Sequence, residues 1–120
     1  MTENKKPERM IVEMRKTHGQ GSTYLSEDEQ GRIVFHDYYF PVEPEEEDFE
    51  FDYRFTMKRS DYMQGLKELR ERGSCSIPIS DKTVHEKGTY SGPDTVSMEL
   101  IEGKVKICNK QTPWTLTNLL

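Results

Sequence analysis

Phe49, Phe51, Tyr53, Phe55 and Met57 occupy every second position of one stretch, with Glu50, Asp52, Arg54 and Thr56 between them. Successive side chains of a strand point to opposite faces, so this run is a β-strand with one apolar face. A second strand is expected at Arg32 to Phe40 (RIVFHDYYF), bounded by Gly31 and Pro41. Both of its faces are partly apolar, as suits a central strand. Arg9 to Lys16 also alternates, with Met10, Val12 and Met14 on one face, and Thr23 to Leu25 can form a short strand after the turn residues His18 to Ser22.

The chain contains no alanine, the best helix former, and is rich in Tyr, Phe, Val, Ile and Thr. Its one helix is expected at about 60–72. Tyr62, Leu66 and Leu69 form a stripe with Met63 beside them, Ser60 is the expected cap, and Gly73 the terminator. Cys75 to Ile79 and Lys82 to Glu86 read as short edge strands. Thr95 to Lys110 reads as a hairpin turning at Glu102-Gly103, with Leu100 opposite Val105, Met98 opposite Ile107, Val96 opposite Asn109 and Glu99 opposite Lys106. The end carries Trp114, Leu116, Leu119 and Leu120. So apolar an end should pack on the sheet or join two copies as a homodimer.

These elements predict an α+β domain: a mostly antiparallel sheet with one main helix on one face and a C-terminal hairpin at about 95–110. The 120 residues suffice for one domain at 8–120, preceded by a flexible polar leader at 1–7. The mean hydropathy of −0.89 is strongly polar, but the clustered aromatics argue for a folded core. No apolar run reaches membrane-spanning length and no secretory h-region is present. Two cysteines without CxxC spacing fit a reducing, cytoplasmic compartment.

The net charge of −5 is unevenly spread. Residues 26–52 hold eleven acids against one base, Arg32, whereas both flanks are mildly basic. Such a band repels nucleic acid and anionic membranes and attracts cationic partners. If the strands around 33–40 and 49–57 form a hairpin, the acidic stretches at 27–29, 43–48 and 50–52 are expected to converge around its tip. The candidate partner-binding residues are Glu43, Glu45, Glu46, Glu47, Asp48, Glu50 and Asp52, with Tyr38, Tyr39 and Phe49 as aromatic anchors.

Other chemistry is less supported. His18, His36 and His85 are far apart in sequence and neither cysteine has a ligand motif, so no metal or other cofactor is expected. His36 beside Asp37 offers an acid/base pair, but in the most acidic part of the chain, where a nucleic-acid substrate would be repelled. Cys75 and Cys108 read as packing residues, Cys108 on a strand. No phosphate-cradling loop occurs. The expectation is a small acidic binding protein without enzymatic activity, an inhibitor of the immunity or antitoxin type that neutralises a basic partner such as a nuclease toxin. The alternatives are a phage-type regulator mimicking nucleic acid and a small enzyme using His36 or Cys108.

Overall fold

The computed structural model describes residues 8–17, 20–40, 50–86 and 94–120, without the side chains of 85 and 86. The leader at 1–7, His18, and the run 41–49 with Glu43, Glu45, Glu46, Glu47, Asp48 and Phe49 lie outside the described residues. The order is β1 (Arg9–Arg15), β2 (Gln20–Glu27), β3 (Ile33–Phe40), β4 (Phe51–Met57), α1 (Arg59–Arg72), β5 (Ser74–Pro78), β6 (Asp81–Glu86), β7 (Thr95–Ile101), β8 (Lys104–Ile107), β9 (Lys110–Gln111) and a 3-10 turn (Leu116–Leu119). The domain is α+β, mostly antiparallel sheet with one main helix. The strands divide into two sheets, ordered β1-β2-β3-β4-β6 and β5-β7-β8-β9.

β3 is central, as its two-sided apolar pattern requires, and pairs with β2 and β4. Leu25, Phe35 and Phe55 lie side by side on the inward face, as do Thr23, Asp37 and Tyr53 one pair further along. The opposite face carries Tyr24, His36 and Arg54 in one row. β2 is longer than its apolar signal, because Gln20 to Ser22 and Ser26 to Glu27 extend it on both sides through backbone pairing with β3.

β1 departs from simple alternation. Its register against β2 slips between Met10 and Val12, a bulge that puts Met10 and Val12 on different faces. Val12 and Met14 pack on the core while Met10 is 50% exposed.

The helix starts one residue before Ser60. Lys58 is its N-cap, with extended backbone and no side-chain cap, because β4 runs directly into α1. Lys58 offers only its carbonyl, which accepts from the Tyr62 N–H at 3.0 Å. Tyr62, Leu66 and Leu69 are buried as expected, whereas Met63 is 45% exposed, off the stripe. Gly65 faces β5, and a Cβ there would lie 2.5 Å from the Ile77 side chain. That close helix–strand approach offsets glycine's helix penalty of about 1 kcal/mol.

β5 and β6 form as short edge strands, one in each sheet. The hairpin turns at Glu102-Gly103 with positive φ at both residues, and pairs Leu100 with Val105, Met98 with Ile107 and Glu99 with Lys106. Val96 does not face Asn109. Cys108 and Asn109 instead form a second turn with φ of 50° and 67°, which folds β9 back onto β8. Cys108 is therefore a turn residue, not a strand residue.

One cluster joins Leu25, Ile33, Phe35, Phe55 and Met57 of the larger sheet, the helix stripe, and Cys75, Ile77, Val96, Met98, Val105 and Ile107 of the smaller sheet. Tyr53 and Leu100 are only partly buried against it. Trp114 and Leu119 complete it from the C-terminus, where the Leu119 carbonyl accepts from the Tyr62 hydroxyl at 2.6 Å. The apolar end thus packs within its own chain, leaving Leu120 exposed.

Among the described glycines, the tightest backbone approach is at Gly21. A Cβ there would lie 2.3 Å from the Tyr38 carbonyl oxygen and 2.9 Å from the Tyr39 Cα. Backbone atoms of a paired strand cannot give way as a flexible side chain can. Gly21→Ala should therefore cost about 1–3 kcal/mol, read as a lower denaturation midpoint at an unchanged m-value. An unchanged or raised midpoint would show that the β2–β3 pairing is looser than described.

Candidate functional site

Among the described residues, the acids of 26–52 do not form one continuous surface. Glu27 pairs with Ile33, which pairs with Met57, while Asp52 pairs with Tyr38 near the other end of β3. The five residue steps from Ile33 to Tyr38, at about 3.3 Å each, separate the two levels by roughly 17 Å. The stretch 27–29 therefore does not converge with residues 50–52; the β2–β3 turn and the β3–β4 connection lie at opposite ends of one antiparallel strand.

At the β2–β3 turn two of these acids are internally matched. Asp28 accepts from the backbone N–H groups of Gln30 and Arg32 and from the Arg32 guanidinium, each at 2.9 Å. Burial works against its ionisation, but these donors prevail and hold its carboxyl below the usual range. Glu27 pairs with Arg9 at 3.4 Å and with Arg59. These contacts tie β1 and the start of α1 to the turn.

Asp37 has gone inside. On the inward face it accepts from Lys16 Nζ at 2.7 Å, from Thr23 Oγ1 at 2.7 Å and from Lys110 Nζ at 3.1 Å. Burial opposes its charge, and these three donors outweigh that and hold the carboxyl below the ordinary value. Lys110 comes from β9 of the smaller sheet and Lys16 follows β1, so the carboxylate ties the two sheets together.

Toward the β3–β4 end, the outward face of the larger sheet carries the chemistry. His36 lies between Tyr24, whose hydroxyl is 2.6 Å from Nδ1, and Asp52, whose Oδ1 is 2.6 Å from Nε2. A neutral ring can then donate Nε2–H to Asp52 and accept the Tyr24 proton at Nδ1. The His36–Asp37 pair does not form, because neighbours in a strand point to opposite faces; Asp52 supplies the carboxylate instead. Burial raises the Tyr24 hydroxyl's pKa, with Arg54 acting in the opposite sense.

Tyr38 stands beside His36, ring centres 4.9 Å apart, and Phe40 follows Tyr38 at 5.9 Å. Tyr39 is on the other face, against Phe51 at 6.2 Å. The two tyrosines therefore do not form one anchor pair. Asp52 retains 40% side-chain exposure, and Glu50 is part-exposed just before β4. Tyr24 and Lys110 were missed in the sequence. The register pairing Tyr24 with His36 needs the full length of β2, and Lys110 reaches Asp37 across 73 positions of chain.

Both cysteines are free. Burial pushes the Cys75 thiol up to about 11 and raises that of Cys108, which keeps each protonated and weakly nucleophilic at neutral pH. Among the described residues no three His, Cys, Asp or Glu side chains converge on a metal position. No described helix is long and apolar enough to cross a membrane. Comparison with protein-family models, curated proteins and solved structures finds no match.

Proposed function

We propose that this is a small acidic binding protein of the immunity or antitoxin type, which occupies the cationic surface of a basic partner. Its recognition surface is the β3–β4 end of the larger sheet. The observation that carries this reading is that Asp52, though bonded to His36 through one oxygen, remains part-exposed on the outward face with Tyr38 and Phe40, whereas Asp28 and Asp37 are enclosed by several donors of the fold. Glu43, Glu45, Glu46, Glu47 and Asp48 belong to the connection covalently joined to this end at Phe40 and Glu50. Negative charge next to aromatic side chains in the chain suits a cationic partner: the charges speed encounter and the rings supply contact area. A nuclease toxin is the partner class proposed, since its substrate-binding surface is cationic.

The test uses the chain as bait in its native host. It should recover a basic protein in a one-to-one complex and suppress that protein's activity in proportion to occupancy. Tyr38→Ala should weaken the purified complex by at least about tenfold, a typical cost of losing an aromatic anchor. Wild-type affinity in Tyr38→Ala would remove this face from the interface, and a partner that stays fully active when saturated would remove the inhibitor role.

A second reading rests on the Tyr24–His36–Asp52 chain, which has the geometry of an acid/base relay. It favours a small enzyme using His36. Turnover that disappears in His36→Ala, with the fold intact, would select this reading over the first.

A further inference from the structure

Among the described residues, the ion cluster on the inward face sets two ammonium groups against one carboxylate. Lys16 and Lys110 share one carboxylate, Asp37, and one hydroxyl, Thr23 Oγ1, which lies 3.2 and 3.3 Å from the two ammonium nitrogens. One lysine would balance Asp37 and tie the sheets together; the second adds a desolvated cation. Both ammonium groups also lie near the Phe51 ring, 5.4 and 6.0 Å from its centre. Beside them runs an open groove whose walls are Met14, Tyr39 and Phe51, with Arg15 at the rim. Its surface is mostly apolar, yet three cationic side chains line it.

We propose that this groove binds a small organic monocarboxylate with an apolar body. The carboxylate meets Lys16 and Lys110, and the apolar body lies along Phe51, Tyr39 and Met14. A purely inorganic anion would leave those walls wetted, and an uncharged apolar molecule would leave the extra cation unmatched. Only a ligand with both features satisfies both parts of the groove. Asp37 holds the two ammonium groups together at one end of the groove. The site is on the inward face, apart from the Tyr38 and Asp52 surface, and holds whether or not that surface binds a partner.

Octanoate and octan-1-ol, titrated separately into the full chain and followed by NMR at the Met14 methyl and the Phe51 and Tyr39 rings, provide the test. Octanoate should give saturable shifts at these three residues and bind at least about tenfold more tightly than octanol, the worth of one charge-assisted contact. Lys110→Gln should reduce octanoate affinity by about the same factor and leave octanol unchanged. Equal binding of the two probes by the wild-type chain would overturn the proposal without recourse to any variant. So would octanoate shifts that never saturate or that fall elsewhere on the protein.

Discussion

Asp37→Asn is expected to lower the unfolding free energy by about 3–5 kcal/mol, the usual cost of removing one partner of a buried ion pair. The substitution is close to isosteric, so little packing is lost. Lys16 and Lys110 would then confront each other without a counter-charge, beside a Thr23 hydroxyl that has lost its anionic acceptor. Urea denaturation of the two proteins measures the difference directly. A change below about 0.5 kcal/mol, the range of ordinary surface substitutions, would show that Asp37 is a solvated surface acid after all.

The same residue sets an acid limit. The Asp37 carboxyl lies below its reference value of 3.8 in the folded protein, so near that pH the unfolded chain binds more protons than the folded one. Its contribution is complete above the unfolded value and disappears as pH falls through the lower, folded one. Asp28 acts in the same direction. Wild-type stability should therefore decline below about pH 4, where unfolded carboxyls titrate, and Asp37→Asn should show a shallower decline over that range. Parallel pH profiles would exclude Asp37 as a source of the acid sensitivity.

Phe55→Ala is expected to cost about 3–5 kcal/mol. Phe55 is 4% exposed, in the middle of the strongest strand, with the rings of Phe35 and Tyr53 each 6.2 Å from its own. Neighbouring strands hold the surrounding backbone, so the cavity cannot collapse far. Domains of this kind have about 5–15 kcal/mol in total, so the variant should melt much earlier or be partly unfolded at room temperature. A melting temperature unchanged from wild type would mean that the strand faces are misassigned.

The fold was most legible where one face of an element is buried along its whole length. The period-two run through Phe55, the helix stripe Tyr62, Leu66 and Leu69, and the Leu100–Val105 register all follow from local pattern, because burial penalises any slip. The bulge at Ile11 was hidden because a single inserted residue leaves the letters alternating while the chain does not. The division into two sheets depends on which edge each short strand joins, and β5 and β6 carry almost the same local signal. Lys58 as the helix cap was hidden by Ser60, whose side chain is the better cap in isolation but lies inside the first turn.

The charge pattern was the least legible part. A count along the sequence treats Asp28, Asp37 and Asp52 alike, yet one braces a turn, one ties the sheets together and one stays part-exposed beside His36. Partners such as Arg59 and Lys110 come from distant elements and become visible only with strand register and long-range packing. Of the described acids, Asp28 and Asp37 are taken up by contacts within the fold, and Asp52 at the β3–β4 end keeps 40% side-chain exposure.

The association rate with the recovered partner, measured against ionic strength for three proteins, tests this account most directly. Wild type should associate fast at low salt and slow steeply as salt rises, since screening acts on exposed charges. Reversing Glu46, Glu47 and Asp48 to lysine together should lower the low-salt rate by at least about tenfold and flatten the salt dependence. Asp52→Asn should retain the wild-type melting temperature and lose a smaller part of the rate. Wild-type rates and salt dependence in the triple reversal would contradict the account, leaving the acidic connection as a solubilising segment and placing recognition elsewhere.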